Sequence, residues 1–222
     1  MTTGRVSKLL LFTLLLASPL VAESRQEQKL RVAREVYLDL FDVPERSVPE
    51  ALLDDANCVV VVPNVIKGAF GWGGRHGRGV ASCRNDNGDW SPPIFVKLSG
   101  ASFGLQIGGE SSDLVFFLMT ERGARSLLKT KFTLGGDLSL AAGPLGRSAG
   151  AVTDLKLKAE IYAYAKSRGL FAGISMEGAR MAPDQKWIDR FYGRRLWPDE
   201  VLFEHQVPTL PQSADRFISA LP

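Results

Sequence analysis

The sequence predicts an α+β fold: a mostly antiparallel sheet, barrel-like or strongly curved, with an N-terminal helix and a few short helices. Three observations carry this reading. Helical periodicity is confined to short stretches, the longest being residues 24–41. From Cys58 onward the apolar residues fall in short β-branched or alternating runs. Glycine and turn residues break those runs, and the 22 glycines and 12 prolines are spread along the chain as no helical bundle would tolerate.

Taken in order, residues 24–41 repeat Leu30, Ala33, Tyr37, Leu40 and Phe41 at spacings of three and four, with charged residues on the other face. Pro44 ends that pattern, and Pro49 opens a short helix through Leu53. Cys58–Val62 is β-branched and reads as a buried strand. The run from Gly71 to Gly79 reads as a tight glycine hairpin, with a strand resuming at Val80 to Arg84 and a turn at Asn85-Asp86-Asn87-Gly88. Further strands are expected at Ile94–Leu98, Ser102–Ile107 and Asp113–Met119. Thr120 caps a helix reaching Lys129. Glycine-rich strands fill about 132–177, a short helix spans Gln185–Tyr192, and the proline-bearing tail after Trp197 reads as an irregular packed appendage.

The chain has 222 residues, 45% of them hydrophobic, enough for one domain with a real core. Arg5 and Lys8 precede an apolar stretch, Leu9 to Leu16, too short to span a bilayer. Residues 1–22 therefore read as a cleaved export signal, the alternative being an uncleaved anchor, followed by a helical segment 23–49, a main domain 50–193 and a tail 194–222. Cleavage lowers the formal charge from +3 to +1, because Arg5 and Lys8 leave with no acid. A nearly neutral chain is a poor fit to nucleic acid. Cys58 and Cys83 are a disulfide candidate in an oxidising compartment, the alternative being two separate buried thiols. Closing their loop would contribute roughly 3 kcal/mol.

Catalytic and cofactor signals are weak. Gly100-Ala101-Ser102-Phe103-Gly104 matches the nucleophile-elbow pattern, but a strand, not a helix, is expected to follow, and the only bases are His76 and His205. Asp113, Asp137 and Asp154 are single acids better explained by capping or ion pairing. Two cysteines and two distant histidines fit no familiar metal spacing, and the glycine run is neither a P-loop nor a dinucleotide fingerprint, so no cofactor is expected. Arg75 and Arg78 in the glycine run, Arg147 after Gly146, and Lys166 and Arg168 around Ser167 are candidates for an anionic head group, since a guanidinium fork matches phosphate. Ordinary solvated charge is the alternative for each. Phe70, Trp72 and Trp90 sit beside turns, where they insert into a lipid interface if exposed and join the core if not.

Several stretches together resemble the SYLF domain family over about residues 50–193. They are Gly68–Gly79, Leu98 to Gly108, Gly135-Gly136-Asp137-Leu138-Ser139-Leu140 through Arg147, Tyr162-Ala163-Tyr164-Ala165-Lys166-Ser167-Arg168-Gly169 through Gly173, and Phe191-Tyr192-Gly193. The resemblance implies phospholipid or phosphoinositide binding, actin binding in some eukaryotic members, and no established catalysis. It also implies that an amphipathic N-terminal segment meets the membrane, which here would use Lys29, Arg31 and Arg34 with Phe70 and Trp72. The chain departs from relatives at Ala165, where serine is common, and carries no adjoining SH3 or FYVE module. With an export signal, bacterial phospholipid replaces cytosolic partners. The expectation is a periplasmic or secreted, peripherally membrane-associated lipid-binding protein that is not an enzyme. An envelope scaffold docking a protein partner is the alternative.

Overall fold

A computed structural model describes residues 22–41, 48–70, 72–85, 87–102, 108–145, 159–167, 170–204, 206–207 and 209–222. The expected export signal lies outside them, apart from its last residue. Helix α1 (Arg25–Leu38) starts in a reciprocal cap. Ser24 Oγ accepts from the Glu27 N–H at 3.2 Å, and Glu27 Oε2 accepts from the Ser24 N–H at 2.8 Å. A 3₁₀ turn (Asp39–Phe41) follows, then α2 (Glu50–Asp54).

The sheet begins with β1 (Cys58–Phe70), β2 (Trp72–Cys83), β3 (Ile94–Ser102) and β4 (Gly108–Leu118). After α3 (Glu121–Ser126) come β5 (Phe132–Thr133), β6 (Leu140–Ala142), β7 (Ile161–Ser167), β8 (Leu170–Gly173) and β9 (Arg180–Pro183). Helices α4 (Gln185–Tyr192), α5 (Pro198–Leu202) and α6 (Gln212–Ile218) finish the chain. The strand order is β5-β9-β3-β2-β1-β4-β7-β6, with β8 also on β7. Every pairing is antiparallel except β6 with β7. The result is a strongly curved half-barrel with helices, an α+β fold as expected.

Curvature originates in β1. Its pairing slips between Val62 and Val65 against β4 and between Val61 and Ile66 against β2. Such bulges bend a strand and increase its twist. Asn64 sits at φ 54°, and its N–H donates to Asp113 Oδ1 at 2.8 Å, which gives that single acid a structural task. Glycine makes the bulge possible on the neighbouring strand. A Cβ at Gly79 would lie 2.2 Å from the Val61 carbonyl oxygen.

Here the structure corrects the sequence reading. Gly73, Gly74, Gly77 and Gly79 are not a tight hairpin; they are rungs of β2, and the β1–β2 ladder runs out to Phe70 and Trp72. Likewise Ile94 to Ser102 is one strand, because Gly100 serves close packing rather than a break: its Cβ would meet Ala179 Cα at 3.2 Å. The region 103–107, expected as strand, lies outside the described residues.

Cys58 and Cys83 face each other in register and form the expected disulfide. Val59 to Val62, Phe95, Phe116, Phe117 and Phe132 fill the core. Trp187 and Phe191 of α4 pack edge-on to Phe95, with centroids 5.6 and 5.3 Å away. The tail is also corrected. It is not irregular: α6 buries Ala214 and Phe217 and packs on α1. Trp90 is half-buried and donates its indole N–H to the Pro222 carbonyl at 2.6 Å.

Candidate functional site

The β1–β2 ladder places Lys67 opposite Arg75, and Lys67 pairs with Glu110 of β4 on its other side, whose side chain is outside the described set. Neither cation has an acidic partner among the described residues. The Arg75 Nε is buried and has no hydrogen-bond partner there. A buried N–H of a charged group left in this state is costly, and it calls for an anion or ordered water. Gly100 lies beneath the arginine stem, since its Cβ would be 3.4 Å from Arg75 Cγ.

Both cations line a groove of about 550 Å³. Register gives the groove a polarity. Leu114 and Ala165, paired across β4 and β7, lie toward the middle of the sheet. Ser112 pairs with Val65 one step nearer the hairpin tip, and the Lys67–Arg75 rung is nearer still. Leu170 and Phe171 of β8, with Ile174 and Met176 beyond it, complete an apolar wall. The described lining offers ammonium, guanidinium and hydroxyl groups against hydrocarbon. Such a lining suits an anionic group beside an apolar surface.

The other expected site residues are dispersed. Arg78 Nε donates to the buried Asp184 Oδ2 at 2.9 Å, and its guanidinium lies 4.9 Å from the Trp187 ring centre. Lys97 Nζ is 3.4 Å from the other Asp184 oxygen. Arg78 is thereby committed to holding α4 on the sheet. Lys166 is ion-paired with Asp39 and approaches the Phe171 ring at 5.8 Å. Arg147 and Arg168 lie outside the described residues.

On α1, Arg31 is bonded to Glu23 at 3.2 Å and Glu35 at 3.1 Å, and Arg34 Nε donates to the Arg216 carbonyl at 3.1 Å. Lys29 is partly buried and donates to the Pro63 carbonyl at 3.5 Å. Burial first, and the Arg78 charge second, hold its pKa below the ordinary lysine value. The three do not share a face, since Lys29 is turned well over 100° from Arg31 and Arg34 on a helix. The helix's apolar face, Leu30, Ala33, Val36 and Tyr37, is spent on the core. Phe70 and Trp72 pair at the hairpin tip, and their side chains are not described; further back along β1, Ile66 pairs with His76 and is 63% exposed.

Sequence reasoning missed Lys67, Ser112 and the apolar wall. A hairpin centred on Gly71 would have set Lys67 against Arg75, but that turn was not located. Among the described residues no cluster of three His, Cys, Asp or Glu could hold a metal, and no helix is long and apolar enough to cross a membrane.

The fold and groove define a half-barrel domain with a cationic, apolar-walled cleft. The chain belongs to the Ysc84 family: the profile described as "Ysc84: Las17-binding protein actin regulator" matches residues 99–222. It is 36% identical over 178 residues to SH3 domain-containing YSC84-like protein 1 of Xenopus laevis, covering 80% of this chain and 52% of that protein. It is 38% identical over 152 residues to Protein YSC84 of Saccharomyces cerevisiae strain S288c, covering 67% and 32%. LAS seventeen-binding protein 3 of Saccharomyces cerevisiae strain YJM789 is 37% identical over 152 residues, covering 67% and 33%. The chain thus spans about half or less of these relatives.

Proposed function

We propose that this protein is an exported, noncatalytic phospholipid-binding protein acting peripherally at the bacterial envelope membrane. The observation that carries the reading is the Lys67–Arg75 rung, two cations without acidic partners among the described residues, set next to an apolar groove whose lining includes the exposed Leu170. Exported residence is supported by the n-region and apolar run of residues 5–16 and by the Cys58–Cys83 bond. A mature charge near +1 gives little long-range attraction, so contact relies on these local cations and on apolar insertion.

The test is co-sedimentation of residues 23–222 with phosphatidylethanolamine vesicles, with and without phosphatidylglycerol, at two salt concentrations. Anionic vesicles are expected to bind in a salt-sensitive manner. At about 1 kcal/mol per surface cation, Lys67→Gln and Arg75→Gln should each weaken binding about fivefold, while Arg31→Gln has no effect. Equal binding by all three variants, or none by the parent protein, overturns the reading.

A second reading is an envelope scaffold that docks a protein. One observation favours it: the family description and a yeast relative's name both specify Las17 binding. Saturable capture of an envelope protein without vesicles would select it.

A further inference from the structure

We propose that the groove beside Arg75 holds one single-chain anionic amphiphile, its acyl chain along the apolar wall and its anionic end on Arg75 and Lys67. The inference rests on the lipid-binding reading and makes it more specific: the ligand is a monoacyl molecule taken out of the membrane, and the site is a cavity rather than a surface.

Volume sets the chain number. At about 30 Å³ for a water-sized group, 550 Å³ accommodates roughly 18 such groups. That is about the size of one acyl chain with a small end group. Polarity sets the orientation. Leu114, Ala165 and Phe171 offer only hydrocarbon toward the middle of the sheet, Ser112 comes next, and the two cations stand toward the hairpin tip. An amphiphile entering tail-first would meet these groups in the order its own atoms require.

The end group follows from the donors. Arg75 Nε is buried and unpartnered, so a carboxylate or phosphate monoester oxygen would satisfy it, whereas a neutral hydroxyl gains far less from a guanidinium. Lys67 adds a second positive charge in the same wall. Lys166 and Arg78 are engaged by Asp39 and Asp184 and do not compete for the ligand. Ala165 fits this use, since a larger side chain there would enter the space the chain occupies.

The experiment is displacement of a fluorescent single-chain fatty acid from the full mature protein, without vesicles and below micelle-forming concentrations. The competitors are palmitate, palmitoyl lysophosphatidate and hexadecanol. Palmitate or lysophosphatidate should displace the probe at one per protein, and whichever is tighter identifies carboxylate or phosphate as the end group. Shortening the tighter ligand by one methylene should weaken it about fourfold. Arg75→Gln should weaken the anionic competitors at least tenfold and leave hexadecanol unchanged.

Two variants fill the cavity without touching the cations. Ala165→Phe is expected to abolish probe binding. Ala172→Phe, at an exposed lining position that leaves the core intact, should reduce it at least tenfold even if the first variant does not fold. Undiminished binding in Ala172→Phe, or hexadecanol binding as tightly as palmitate, overturns the cavity assignment. Vesicle co-sedimentation of the same variants separates the two ideas. A groove-filled variant that keeps both probe and anionic-vesicle binding retires the cavity and keeps the membrane reading, whereas a parent protein that binds the probe but no vesicle, with probe binding lost in Ala172→Phe, does the reverse.

Discussion

Lys29 donates to Pro63 while its ammonium is drawn out of water, and burial, then Arg78, lower its pKa; Asp113 only partly offsets this. A lysine whose folded pKa lies below the unfolded 10.5 binds fewer protons in the folded state, so stability is reduced at neutral pH. That cost fades as pH rises through the folded value toward 10.5. Lys29→Met is therefore expected to raise the urea midpoint at pH 7, with the advantage vanishing near pH 10.5; a lower midpoint at pH 7 would contradict this. Residue roles of this kind were the least legible in the sequence. Arg75 and Arg78 sit three apart in one glycine run and read alike, yet one is without a described partner and the other is anchored. The anchor, Asp184, lies 106 positions away, so only the folded sheet could separate them.

Among the elements, the last helix has the largest testable consequence. Phe217 of α6 is fully buried against α1. Phe217→Ala should cost about 3–4 kcal/mol by urea denaturation, whereas a loss under 1 kcal/mol would show the tail to be a mere cover. The first helix and α4 were legible because their apolar spacing is helical and their caps or boundaries are marked. The tail was not, because its prolines read as breakers. In the structure Pro198 is the first residue of α5 and Pro211 caps α6, the positions where proline's fixed φ suits a helix start. Strand ends failed for the opposite reason: glycines in β2 and β3 looked like punctuation, but they let neighbouring backbone come close.

At the scale of the whole molecule, the fold class was legible from alternation, glycine spacing and the SYLF resemblance, while the open edge of the half-barrel depended on long-range pairing. β9 closes on β3, and β7 on β4, across segments with no local signature. The disulfide ties the central pair of strands where β1 begins and β2 ends. Reducing it, or replacing both cysteines with serine, is expected to lower unfolding free energy by roughly 3 kcal/mol without changing the far-ultraviolet circular dichroism of the folded state. A stability unchanged by reduction would remove the bond from any account of what holds the sheet. Contact between α1 and α6 also has a consequence for timing. Arg34 and Arg216 meet across 182 positions, so the cover for the first helix is made long after that helix has left the ribosome. A nascent chain shorter than about residue 217 leaves part of that helix's packing surface wet. The first helix therefore stays partly uncovered while every described strand of the sheet is being made, and its final docking waits for α6.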